Sequence, residues 1–137
     1  ELGIRATILW LYYRDTSAAN RFYTEIFGAV PIVDQGWAWA YQASPSGFLG
    51  IVDGERGLHQ ATDDKGVTVS LVVDDVDAWF EYMKGAAGFQ LRSEEVGDES
   101  GHVRVFVGYD SEGYFLEWDT FLDVEGNEEL LRQLRRE

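Results

Sequence analysis

Cysteine is absent from this 137-residue chain. Its absence excludes disulfides, thiolate metal sites and thiol nucleophiles, and it is neutral on compartment. Basic residues are also scarce: 11 Lys and Arg stand against 25 Asp and Glu, a formal net charge of −14. Such a chain repels a phosphate backbone, so no nucleic acid partner is expected. The acid excess reads as a solvated surface that keeps the protein soluble. A field that attracts cationic ligands is the sharper alternative. Long apolar runs are missing too. The stretch from Gly66 to Val73 is only strand-length, so no membrane partner is expected. No leader pattern opens the chain, and a cytoplasmic location is the default. The two histidines, His59 and His102, are isolated, so no Ser-His-Asp arrangement can be argued from them, and both read as surface or capping residues.

What is present is enough to build a core. The chain is 45% hydrophobic and 15% aromatic, and its length suits one domain, residues 1–137. A repeat appears when the sequence is shifted by 60 residues. Ile8 to Asp15, then a helical stretch closing at Gly28, matches Thr68 to Asp75, then a helical stretch closing at Gly88. Asp15 falls on Asp75, Leu11 on Leu71, Ala18 on Ala78, Phe22 on Tyr82 and Gly28 on Gly88. Each half reads as a strand, an acidic turn, a helix of about three turns and a glycine stop. Asp15 or Thr16 can cap the first helix, whose apolar stripe is Phe22, Tyr23, Ile26 and Phe27. Asp75 can cap the second, with Ala78, Trp79, Tyr82 and Met83 as its stripe.

Short strands follow each helix: 29–33, 37–42 and 48–52 in the first half, and 89–96, 102–107 and 114–118 in the second. Turn signals separate them, among them 97–101. The fold class is therefore α+β, two tandem βαβββ modules spanning about 5–52 and 67–119. A polar linker, 53–66, joins them, and an amphipathic helix, 125–136, follows with Arg132, Arg135 and Arg136 at its basic end.

This tandem punctuation resembles the vicinal oxygen chelate superfamily, which includes glyoxalase I, extradiol dioxygenases, fosfomycin resistance enzymes and bleomycin resistance proteins. The resemblance rests on Tyr13-Arg14-Asp15 with Asn20 to Tyr23 and Ile26-Phe27-Gly28, on Val72 to Ala78, and on Asp110 to Glu117, and it covers residues 5–119. It implies two curved mixed sheets around a cavity, and a homodimer. Metal-using members of such a family carry a ligand on the first strand of each module and a carboxylate on the last. Those positions fall here on Ile8, on Thr68, near Gly50 or Ile51, and on Glu117. Only Glu117 is a usable ligand, and a divalent ion needs three or four, so neither a metal nor any other cofactor is expected.

The family's first ligand position also marks a face. Strand alternation puts Ile8, Trp10 and Tyr12 on it, with Thr68, Ser70 and Val72 from the second module and Phe115 and Glu117 from the closing strand. An apolar and aromatic lining with a few polar groups is the usual make-up of a small-molecule pocket, and Trp10, Tyr12 and Glu117 are expected to line one cavity. Trp37, Trp39 and Tyr41 form a second aromatic row suited to stacking a flat or cationic ligand, with its facing left open. Glu117 is the acid of choice, as a counter-ion or, in an enzyme, as a general base. The linker stands as a plain surface loop or, alternatively, a lid.

The leading reading is metal-independent binding of a small, aromatic or cationic organic molecule, in the manner of drug-sequestering resistance proteins. The alternative is a glyoxalase-like lyase, isomerase or dioxygenase-type enzyme using Glu117. A third reading, an interaction module with its cavity filled, stays open as well.

Overall fold

In the computed structural model, residues 2–99 and 101–135 are described. The chain divides into two compact units, Glu1–Asp64 and Lys65–Glu137. Among the described residues, two mixed sheets, three short α-helices and one π-helical turn make the architecture α+β.

The first unit runs β1 (Leu9–Tyr13), α1 (Thr16–Arg21), β2 (Val30–Asp34), β3 (Ala38–Ser44) and β4 (Gly47–Asp53). Its sheet order is β1-β4-β3-β2, with β1 parallel to β4 and the other pairs antiparallel. Asp15 caps α1, its carboxylate accepting from the Ala18 amide at 3.0 Å. The expected helix of about three turns does run on toward Gly28, but not as one α-helix. After Arg21 the chain widens into a π-helical turn, Phe22–Ile26, closed by the Phe27 amide donating to the Phe22 carbonyl at 3.0 Å. Both Phe22 and Tyr23 are buried there, and the Tyr13 and Tyr23 hydroxyls meet at 3.1 Å beneath the sheet. Gly28 ends the element at φ +78°, a left-handed conformation that a side chain would strain.

The second unit repeats the plan with β5 (Thr68–Val72), α2 (Val76–Met83), β6 (Gln90–Leu91), β7 (Gly97–Glu99), β8 (Val103–Tyr109), β9 (Phe115–Phe121) and α3 (Glu128–Leu134). Strand order is β5-β9-β8-β6, with β7 also on β8 and β5 parallel to β9. Asp75 caps α2 through the Ala78 amide at 3.0 Å, the same device at the same repeat position. Its buried residues are Val76, Phe80 and Met83; of the expected stripe Met83 is buried and Trp79 half-buried, while Ala78 and Tyr82 point to solvent. The helix also stops at Met83, before Gly85 at φ +69°, rather than running on to Gly88. Beneath it, the Trp118 indole stacks on Phe106 at 4.9 Å and 4°, with the Phe80 ring edge-on to Phe106.

Three further boundaries depart from expectation. Of the strand read over 89–96 only β6 forms, and β7 occupies part of the expected turn at 97–101, whose Ser100 lies outside the described residues. Strand β9 extends three residues past Trp118. Helix α3 begins at Glu128, held by Asn127, whose buried amide donates to the His102 and Leu122 carbonyls, both at 2.9 Å. Arg136 lies outside the described residues. No helix among the described residues is long and apolar enough to cross a membrane.

Candidate functional site: a valine-floored trough beside an acid pair

In the first unit the sheet's two faces carry different cargo. Trp10 is paired with Gly50, and Gly50 in turn with Ala40. The indole lies across Gly50 so closely that a Cβ there would overlap it. On this face Trp10 is 36% exposed, and Tyr12 is half-buried. The linker folds onto Tyr12: a Cβ at Gly57 would sit 2.6 Å from the Tyr12 ring, and the His59 ring meets that ring edge-on at 5.2 Å. Arg14 holds the linker's far end, through Asp63 at 2.9 Å and the Ala61 carbonyl at 3.3 Å. Ile8 precedes β1 and is exposed.

Trp39 stands on the opposite face. It pairs with Ile51, which pairs with Leu11, and both of these are buried. The large residues of β3 pack toward the helix, while Ala38 and Ala40 leave room on the face of Trp10. An aromatic row shared by Trp39 with Trp10 and Tyr12 therefore does not form. Tyr41 follows Trp39 inward, and burial, aided by the Asp34 carboxylate, pushes its phenol up to about 12. Trp37 lies just before β3 with the Arg56 guanidinium 5.8 Å over its ring.

In the second unit, Val69 and Leu116 pack beneath the sheet, and Thr68, Ser70 and Val72 stand on its other, exposed face. The register places Phe115 beside Thr68, Glu117 beside Ser70 and Asp119 beside Val72, all on this face. The Ser70 hydroxyl lies 3.1 Å from the Glu117 carboxylate and 2.8 and 2.9 Å from the two Asp119 oxygens. One hydroxyl proton cannot serve three acceptor oxygens at once, so a proton on one of the acids relieves the cluster. Asp119 is its natural holder. It is 3% exposed, between Val72 and Val105, and its pKa is pushed up to about 7. Burial is the main cause; a hydrogen bond with Glu117 and that residue's charge add to it, and the Ser70 hydroxyl opposes it.

Next to this acid pair lies a trough of about 670 Å³. Val103, Val105, Val107 and Phe115 form its floor, Glu117 one wall, and the segment from Arg92 to Asp98 the other. The register explains the floor: Val105 pairs with Asp119, Val107 with Glu117 and Tyr109 with Phe115, so every second residue of β8 faces the open side. The far wall begins with a bulge. The Arg92 and Ser93 amides both donate to the Val107 carbonyl, at 3.0 and 3.2 Å, and the Val107 amide donates to the Ser93 hydroxyl at 2.9 Å.

Of the residues expected from the sequence, Thr68, Ser70, Phe115 and Glu117 thus share one face of the second unit. Ile8, Trp10 and Tyr12 belong to the first unit. Asp119, Arg92 and the three valines are additions. Asp119 had a signal, since it follows Glu117 by two residues and alternation puts both on one side; ending the strand at Trp118 hid it.

The metal positions implied by the family do not suit an ion. Ile8 and Gly50 offer no donor, Thr68 offers a neutral hydroxyl, and Glu117 is engaged with Ser70 and Asp119. Among the described residues no group of three or more His, Cys, Asp or Glu is placed to hold a metal.

No protein-family model matches the sequence, and no curated protein does. Solved structures do match the fold. A glyoxalase/bleomycin resistance protein/dioxygenase from Nocardioides superposes with a TM-score of 0.71 at 19% identity, over 90% of this chain and 87% of that one. Lactoylglutathione lyase from Agrobacterium tumefaciens gives 0.67 at 18% identity, over 86% and 95%. The fosfomycin resistance protein FosX from Listeria monocytogenes gives 0.69 at 15% identity, over 89% and 97%. One of these is named a lyase and another a resistance protein, so the shared fold leaves the chemistry to the site. Two βαβββ-type units, each capped at the same repeat position and each closing on a strand parallel to its first, give this chain the glyoxalase/bleomycin resistance fold of the vicinal oxygen chelate proteins.

Proposed function

We propose that the protein binds a small organic molecule, without a metal, on the open face of the second unit's sheet, and that this molecule carries an aromatic or otherwise flat apolar body and a cationic group. The trough is the observation that supports this reading. It joins an apolar floor to a carboxylate wall, the combination by which pockets bury a ligand's body and orient its charge. The acid pair behind the wall suits an ammonium group, because Asp119 can share its proton while Glu117 faces the ligand. The fold is also that of proteins named for bleomycin resistance, which agrees with a binding role. Its homodimeric state is part of the same proposal, and light scattering is expected to give twice the 15.5 kDa chain mass.

One observation favours a second reading. A carboxyl group titrating near 7 is poised for proton transfer at neutral pH, so Asp119 with Glu117 could act as an acid–base pair on a bound substrate. A thermal-shift screen of aromatic amines, with EDTA or with added divalent metals, tests the main reading. Metal-independent stabilisation by an amine recovered unchanged is expected. Stabilisation only with metal contradicts binding without a metal; conversion of the amine supports the enzyme.

A further inference from the structure

Resting on the trough as the ligand site, we infer that its ligand is amphoteric: Arg92 is built to receive an acidic group at one end of the molecule while Glu117 receives a cationic group at the other. The bulge at Arg92 and Ser93 is the first ground. By setting two residues opposite Val107, it turns Arg92 toward the open face and over β9, where a regular strand would run on past it. The guanidinium then lies 5.6 Å over the Phe115 ring and donates to the Tyr109 hydroxyl at 3.2 Å. Phe115 and Tyr109 are cross-strand neighbours on the trough face, and their rings meet edge-on at 5.4 Å. A guanidinium resting on one ring and tied to the next has lost much of the freedom that an anion would otherwise have to freeze out.

The second ground is charge. Arg14, Lys84, Arg104 and Arg132 have carboxylate partners, while among the described residues Arg5, Arg21 and Arg56 have none, so what sets Arg92 apart is its place on the trough face. Among the described residues no carboxylate lies within ion-pair distance of Arg92, although Glu95, Asp98 and Glu117 line the same trough. Its remaining N–H donors are open to a planar oxyanion, which a guanidinium can bind through two parallel bonds. A simple anion would meet three carboxylates for one guanidinium. A simple cation would gain Glu117 and leave Arg92 facing it. A molecule with both charges satisfies both walls. Phe115, which carries the guanidinium over its ring, and Glu117 are two residues apart on β9, a backbone spacing of about 7 Å. That is the span of one benzene ring with a charged group at each end.

Three probes of one ring size test the inference: 4-(aminomethyl)benzoate, benzylamine and benzoate, titrated into the full chain labelled with ¹⁵N. The amides of Val105 and Val107 and the Arg92 Nε–H signal are the readouts. The zwitterion is expected to bind about five- to tenfold more tightly than benzylamine, the gain of one charge-assisted contact at an open site, with benzoate weakest. Arg92→Gln is expected to abolish the zwitterion's advantage over benzylamine, and to leave benzylamine unweakened or slightly tighter as a like charge is removed. Equal binding of zwitterion and benzylamine to the native chain, or equal weakening of both by Arg92→Gln, would overturn the anion receptor and leave the trough as a site for cations. If no probe moves Val105 or Val107, the trough reading fails as well.

Discussion

The same register position holds opposite chemistry in the two units. In the first, the second residue of β1 is Trp10 and its partner on the parallel strand is Gly50; in the second, the equivalents are Ser70 and Glu117. Moving one step on, Val52 in the first unit corresponds to Asp119 in the second. One face thus carries a part-exposed indole lying over a glycine, with Gly57 and His59 of the linker against Tyr12. The other stays open around a hydroxyl and two carboxyl groups. The backbone plan, down to the aspartate caps, is shared. What differs is whether side-chain volume or side-chain charge occupies the face, and only charge with space beside it makes a site for a polar ligand.

The largest effect that separates the two units is steric. Gly50→Ala places a methyl group into the Trp10 ring and is expected to destabilise the protein by about 1–3 kcal/mol, the usual cost of overpacking. A double-mutant cycle with Trp10→Ala, followed by urea unfolding, should show that most of this cost disappears when the ring is removed. At the matched position of the second unit, Glu117→Gln should change stability by less than about 1 kcal/mol, because nothing there is packed to capacity. Equal costs at the two positions would erase the contrast.

Next comes pH. Asp119 holds its proton in the folded state up to about 7 and releases it near 3.8 when unfolded. Between those values the folded state binds the extra proton, so this group's contribution to stability is present below about pH 4 and is lost as pH rises toward 7. Asp119→Asn, which keeps an uncharged group there, should remove that decline; the difference between the two stability curves over pH 4–7 is the measurement. A smaller effect is expected from Ser70→Ala. The hydroxyl favours the Asp119 carboxylate, so its loss should raise the Asp119 titration further, as read by carboxyl ¹³C shifts. The smallest belongs to the linker. Arg14→Gln breaks an exposed ion pair with Asp63, and a stability loss below about 1 kcal/mol is expected.

Much of this was legible in the sequence because it follows from period and punctuation. The 60-residue repeat fixed both aspartate caps, and strand alternation put Thr68, Ser70 and Glu117 on one side. What was not legible depends on pairing across strands. The bulge at Arg92 and Ser93 exists because of where Val107 sits, and nothing in the run from Phe89 to Val96 announces it. Trp39 faces away from Trp10 because the Gly50–Ala40 register leaves small residues under the indole, a fact of the partner strand and not of the aromatic row. The π-helical turn at Phe22 likewise breaks a helical period that the sequence alone continues.

Glu117 as the ligand's counter-ion is tested most directly by calorimetric titration of the native chain and Glu117→Gln with benzylamine and with benzyl alcohol, its uncharged analogue. Benzylamine is expected to bind the variant about 10–100-fold more weakly, the range for a hydrogen bond to a charged group, with benzyl alcohol unaffected. Benzylamine affinity unchanged by the substitution, or both compounds weakened alike, would contradict a charge-reading wall in the trough.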